Sequence, residues 1–335
     1  MNQVVIQTQN LTKRYNGLTA VDSLSLEIYQ GEIFGLLGPN GAGKTTSIGM
    51  ICGLLQPDAG QVLILGQPVH GGDAKVRSWV GVCPQEVILW EKLTCLEQLE
   101  FMGEMYAVPR KIARRRGAEL LNTLALAEKA NQLASTLSGG MQRRLNLALA
   151  LVHDPEILVL DEPEAGLDPQ SRVLVRDYVR SLAREKTIIL TTHNMDEADR
   201  MADRVAIIDH GKLLVLDTPE ALKRSIGEGD VLELEIKEIS AEQALAAIEE
   251  ELRNLTSLHG GVTNEAISSS RNRLIRSASF VRNNIIVVRG SNIVDRLPMI
   301  ITTIQNVGGQ VGEVHLRANS LEDVFISLTG RRLRQ

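Results

Sequence analysis

Aromatic side chains are scarce. Two Trp, four Tyr and four Phe make up 3% of the 335 residues. That leaves little material for a base-stacking platform. Positive charge is not in excess either: 36 Lys and Arg against 41 Asp and Glu give a formal net charge of −5. Nucleic-acid binding is driven by phosphate neutralisation, so nucleic acid is not an expected partner. Cysteine is limited to Cys52, Cys83 and Cys95, with no C-x-x-C pair. An odd, scattered set fits reduced thiols in the cytosol. Long apolar runs are missing. The longest uncharged stretch, Leu297–Gly312, has 16 residues and includes Thr, Gln, Asn and three Gly, whereas a membrane span needs roughly 20 mostly apolar residues. Met1–Gln9 has neither the basic flank nor the apolar core of a signal peptide.

What remains is ordinary globular composition, 44% hydrophobic and 23% charged. The length predicts about two domains. Residues 1–227 alternate strand-like and helix-like signals. Ile33–Leu37, Ile157–Leu160 and Thr187–Leu190 are apolar runs suited to strands buried on both faces of a parallel sheet. Val205–Ile208 and Leu213–Leu216 flank His210-Gly211, a hairpin signal. The region from about 86 to 135 is rich in helix formers and reads as a helical insertion. A boundary is expected at Ile226–Asp230. Beyond it the predicted order is strand (Val231–Ile236), helix (Ala241–Leu252), weak strand near Val262, strand (Asn284–Val288), helix (Ile293–Val307) and strand (Gln310–Leu316), with a last helix over Ser320–Leu328. This is a β-α-β-β-α-β, ferredoxin-like pattern. The expected domains are therefore 1–227 and 228–335, an α/β core followed by a small α+β domain.

One motif carries chemistry unaided. Gly38-Pro39-Asn40-Gly41-Ala42-Gly43-Lys44-Thr45, followed by Thr46, fits G-x-x-x-x-G-K-S/T between a strand and a helix. This is the signature of a P-loop NTPase. Its backbone N–H groups cradle phosphate oxygens, and the following helix adds its positive end. Lys44 suits the β and γ phosphates of a nucleotide, and Thr45 offers a hydroxyl to Mg²⁺. Asp161 follows a buried strand, where it can hold the Mg²⁺ shell. Glu162 stands beside it, placed to orient or deprotonate a water. Leu137–Gln142 reads as a second anion site, with Ser138 as helix N-cap and Gly139 and Gly140 exposing backbone N–H groups.

The full series resembles the ATP-binding subunit of ABC transporters over about residues 4–225. Tyr15 matches the aromatic that stacks on adenine. Gly38 to Thr46 match the Walker A loop. Gln85 matches the Q-loop residue at Mg²⁺ or the attacking water. Leu137–Gln142 match the signature, whose Ser138, Gly139 and Gly140 contact ATP. Asp161 and Glu162 match the Walker B pair, Ala165–Asp168 the D-loop, and His193 the switch histidine. All occur in family order. Two positions depart from the usual pattern: Met141 stands where Gln is commonest, and Glu164 where Ser or Thr usually follows Pro163. The tail Arg317–Gly330 resembles the ending of drug-resistance-type exporter ATPases.

The resemblance implies an ATPase with ATP and Mg²⁺ as cofactors. It implies catalytic roles for Glu162, His193 and Gln85, with Thr45, Gln85 and Asp161 at the metal. Two such subunits, identical or paralogous, would sandwich two ATP molecules. A separately encoded membrane permease would carry the substrate outward, holding the chain at the inner face of the cell membrane. Leu89, Trp90 and Leu93 offer it apolar contact. The basic cluster Arg110, Lys111, Arg114, Arg115 and Arg116 suits a solvated helix face or anionic lipid headgroups. Three rival readings are an importer ATPase, a non-transport ABC ATPase and a P-loop kinase. The signature and His193 disfavour the kinase.

Overall fold

Short apolar runs build one central sheet, and their burial explains why they lack alternation. The structure, a computed structural model, describes residues 3–69, 74–226, 230–257, 280–282, 284–290 and 293–330. Two compact units divide after Pro219.

The first unit opens with β1 (Val4–Tyr15), β2 (Leu18–Tyr29) and β3 (Ile33–Leu37), followed by α1 (Lys44–Ile51). Next come β4 (Ala59–Ile64), β5 (Gln67–Pro68), α2 (Ala74–Trp79) and β6 (Val80–Cys83). A helical stretch holds α3 (Cys95–Met105), α4 (Arg110–Thr123) and α5 (Gly139–Leu151). The chain then returns through β7 (Ile157–Asp161), α6 (Pro169–Leu182), β8 (Thr187–Thr192) and α7 (Met195–Met201) to the hairpin of β9 (Arg204–Asp209) and β10 (Lys212–Asp217).

The six-stranded sheet has the order β10-β9-β3-β8-β7-β6, parallel except for the β9–β10 hairpin. Alternate side chains of its strands serve two cores. Leu158, Leu160, Ile188 and Leu190 pack with Leu99, Leu121, Leu145 and Val175 of the helices. Ile157, Val159, Ile189, Phe34 and Leu36 pack with Ile6, Val21, Ile28 and Ile64 of the antiparallel sheet β2-β1-β4-β5. A strand buried on both faces has no polar side to show, which is why these runs read as continuous. β1 and β2 have twelve residues each and carry many polar side chains. The sequence reading did not single them out.

The second unit begins with α8 (Pro219–Ser225) and β11 (Asp230–Lys237), then α9 (Ala241–Ser257), β12 (Phe280–Arg282), β13 (Ile285–Gly290), α10 (Ile293–Asn306), β14 (Gln310–Ala318) and α11 (Leu321–Thr329). Its antiparallel sheet runs β12-β13-β11-β14. Leu232, Leu234, Ile286 and Val288 form its core with Ala244, Ile248, Ile300 and Ile304 from the two helices. The first strand and the last lie side by side, with Asp230 opposite Ala318. Arg317 on β14 joins Glu233 on β11 (2.9 Å) and Asp323 on α11 (2.5 Å). The weak strand predicted near Val262 and the boundary residues Gly227–Gly229 lie outside the described residues.

Candidate active site

Four neighbouring parallel strands end at one edge of the central sheet, and each hands a functional residue to that edge. β3 runs into the phosphate loop, β8 into His193, β7 into Asp161 and Glu162, and β6 into Gln85. In register, Leu37 pairs with Thr192, Asp161 with Thr191, and Cys83 with Leu160. The carboxyl ends of parallel strands are where open α/β sheets bind ligands. The loops are closed by helix caps: Ser138 accepts from the Met141 N–H, Asp168 from Gln170 and Ser171, and Asn194 from Asp196 and Glu197. The Ser138 cap is as expected from the sequence. Its helix runs from Gly139 to Leu151.

The phosphate loop needs its glycines for steric reasons. Gly43 has φ +104°, and a Cβ there would meet the Ala20 carbonyl. At Gly38 a Cβ would collide with the Ile208 carbonyl. Lys44, the first residue of α1, is buried and donates to the carbonyls of Gly38 (2.7 Å) and Pro39 (3.2 Å). Burial lowers its pKa, and Glu162 and Asp161 nearby act in the opposite sense. The Walker A cation and the Walker B carboxylates are therefore near enough to interact electrostatically. Thr45 and Asn40 are exposed. Tyr15 is 44% exposed at the end of β1, with Lys13 Nζ 5.7 Å from its ring centroid.

Glu162 is the centre of the site. It is buried and holds φ +50°, a left-handed conformation that costs a non-glycine residue energy and is kept where function over-determines it. Its backbone N–H donates to the Thr191 carbonyl (3.0 Å). One carboxylate oxygen lies 2.7 Å from His193 Nδ1, and the other accepts from Gln85 Nε2 at 3.2 Å. The structure thus brings together the three residues assigned to catalysis. The buried Asp161 accepts a hydrogen bond from the Thr191 hydroxyl. No group of three or more His, Cys, Asp or Glu side chains able to hold a metal occurs among the described residues.

Comparisons with known proteins agree with this geometry. The family model described as ABC transporter matches residues 21–165. The Nod factor export ATP-binding protein I of Ralstonia nicotianae is 37% identical over 332 residues, covering 98% of this chain and 95% of that protein. The linearmycin resistance ATP-binding protein LnrL of Bacillus subtilis is 40% identical over 245 residues, 73% of this chain and 78% of that protein. The chain belongs to the ABC transporter ATP-binding family. It is an ATPase of that family. The solved dimeric structure of MJ0796, a bacterial ABC transporter cassette, is 29% identical with a TM-score of 0.60, covering 64% of this chain and 98% of that one.

Within this ABC cassette, several surroundings were not visible in the sequence. Glu164, the unusual residue after Pro163, has both its oxygens taken by Arg176 on α6, at 2.8 and 2.7 Å. Glu197 is buried, hydrogen-bonded to the Thr192 hydroxyl at 2.6 Å, with its other oxygen unpartnered. Burial pushes its carboxyl up to about 7. Arg143 is buried among five backbone carbonyls. A signal for it existed: Arg143, Asn146, Leu147 and Ala150 share one face of α5, so two polar residues occupy its buried stripe.

The cassette also bears on two surface expectations. Leu89 packs against the core rather than offering itself to a partner, while Ile88 is 62% and Trp90 38% exposed. The basic cluster on α4 is largely paired: Arg110 and Arg114 with Glu100, Arg115 with Glu119, and Arg116 with Asp154. Those ion pairs favour the solvated helix face over a lipid-binding patch. No helix among the described residues is long and apolar enough to cross a membrane.

Proposed function

We propose that this chain is the ATP-driven motor of an exporter whose membrane-crossing part is a separate permease. The observation that carries the reading is the Glu162 carboxylate held by Gln85 and His193 across from Lys44. The outward direction is supported by relatives named for Nod factor export and linearmycin resistance. A third is the daunorubicin/doxorubicin resistance ATP-binding protein DrrA of Streptomyces peucetius, 43% identical over 247 residues, 72% of this chain and 74% of that protein.

In this reading Tyr15 stacks on adenine. The backbone of Gly38 to Thr46 and the Lys44 ammonium bind the β and γ phosphates. Thr45, Asp161 and Gln85 hold Mg²⁺, which when bound neutralises charge on the transferring group. Glu162 takes the proton of the attacking water, while Gln85 and His193 fix the plane of its carboxylate. Ser138, Gly139 and Gly140 of a second copy, identical or paralogous, close over the γ-phosphate. ATP then binds the closed pair better than the open pair, and hydrolysis removes that difference, which opens it.

The permease contact is assigned to Ile88, Trp90 and Phe101. Trp90 and Phe101 meet edge to face at 5.1 Å, and all three are exposed. Such a contact holds the chain at the inner face of the membrane. Residues 228–335 form an accessory domain with a regulatory or dimer-supporting role. The test is ATP-dependent efflux from membrane vesicles containing the chain with its co-purified permease. Efflux that stops with Glu162→Gln supports the reading. ATP-dependent accumulation in the opposite direction overturns the export assignment, and crosslinks to the permease that avoid Ile88 to Phe101 overturn the contact.

A further inference from the structure

The helix capped by Ser138 carries a buried arginine five positions on. Arg143 is 4% exposed and uses every donor it has. Nη1 donates to the carbonyls of Pro84 (2.6 Å) and Gln85 (2.7 Å), and Nη2 to those of Asp161 and Glu162 (both 2.6 Å). Nε reaches the Pro163 carbonyl at 3.5 Å. A guanidinium has five N–H donors in a fixed plane, and here they meet five carbonyls from two separate strand-end loops. One turn further along α5, Asn146 adds bonds to the Pro84 carbonyl (3.3 Å) and to Cys83 Sγ (3.4 Å).

We infer that Arg143 is a positioning residue, locking the loops of Gln85 and Glu162 to one another and to the signature helix. The two loops place the side chains that meet at 3.2 Å, Gln85 Nε2 and Glu162 Oε2. A single rigid cation that grips both backbones sets that spacing. α5 is one continuous helix from Gly139 to Leu151, so Ser138 and Arg143 are about 7.5 Å apart along one rod. Any displacement of the serine on meeting a phosphate is passed to the arginine, and through it to both catalytic loops. Lysine cannot substitute, since three donors radiating from one nitrogen do not span two parallel backbones. Displacing a catalytic group by about 1 Å costs on the order of 10²-fold in rate. The inference rests on Glu162 as the base.

Arg143→Lys and Arg143→Gln in the full chain test it, with Glu162→Gln and Ser138→Ala beside them. Both arginine variants are expected to lose roughly 10–100-fold in kcat per folded molecule. KM for ATP stays within about threefold, because the phosphate loop is untouched. Ser138→Ala combined with Arg143→Lys is expected to lose clearly less than the product of the single losses, as coupled residues do. Parental kcat in Arg143→Lys, or a lowered melting temperature with parental kcat in the folded fraction, overturns the inference. So does full additivity with Ser138→Ala. Should neither arginine variant fold, hydrogen exchange on the parental chain decides. ATP must protect residues 84–86, 138–142 and 161–163 together, and independent protection overturns the coupling. If Glu162→Gln hydrolyses ATP at the parental rate, the base assignment has failed. If it is inactive while Arg143→Lys is fully active, only the arginine inference has.

Discussion

His193 Nδ1 lies 2.7 Å from Glu162 Oε1, joining the loop after β8 to the loop after β7. With Gln85 on the opposite oxygen, the carboxylate is fixed in a plane before any water arrives. Glu162→Gln keeps that size and shape but removes the proton acceptor. We expect kcat to fall about 10²–10⁴-fold, the usual worth of a positioned general base. Binding of a fluorescent ATP analogue should be retained, and size-exclusion chromatography with ATP should show an accumulated dimer. Parental turnover would rule out Glu162 as the base.

Tyr15 presents an exposed ring at the end of β1. Stacking of a base on an aromatic ring contributes about 1–3 kcal/mol. Tyr15→Ala should therefore raise KM for ATP roughly tenfold with kcat nearly unchanged, and Tyr15→Trp should restore it. Steady-state kinetics over a range of ATP concentrations separates the two effects.

Arg176 and Glu164 bond at 2.8 and 2.7 Å with little exposure of either. Removing only the carboxylate leaves a mostly buried cation without its partner, a loss of about 2–3 kcal/mol. Glu164→Ala should lower the unfolding free energy of the first unit by that amount, read from the shift in its denaturant midpoint. The pair Glu164→Thr with Arg176→Met should recover most of it. Equal loss in the single and double variants would show that the ion pair contributes nothing.

Glu197 gives a pH signature. Its carboxyl is raised to about 7 by burial, and Glu164 and Glu162 push the same way, against the Thr192 hydroxyl and Arg176. Between about pH 4.3 and 7 the folded chain holds a proton that the unfolded chain releases. Stability on this account is full below pH 4.3 and falls as pH rises through 7. Glu197→Gln imitates the protonated form. It should match the parent near pH 4 and exceed it by about 3–4 kcal/mol at pH 8. Chemical denaturation at the two pH values measures this, and equal differences at both would refute it.

Much of the site was legible because its residues act through motifs fixed in sequence. Gly38 to Thr45 announce themselves by spacing, and Asp161 and Glu162 by their place after an apolar run. The neighbours were not legible, because they meet through the sheet. Arg176 is 12 residues from Glu164, and Arg143 is 58 residues from Gln85. The strands β3, β7 and β8 were found because they are buried on both faces. β1 and β2 carry many polar side chains, so the apolar-run criterion passed over them. β12, Phe280–Arg282, also pairs with β13, and three residues are too short a run to stand out in the sequence.

Asp230 and Ala318 sit opposite each other on neighbouring strands, so the first and last strands of the second unit's sheet pair directly. That pairing joins residues far apart in the chain, so the sheet can close only after both helices between them have been made.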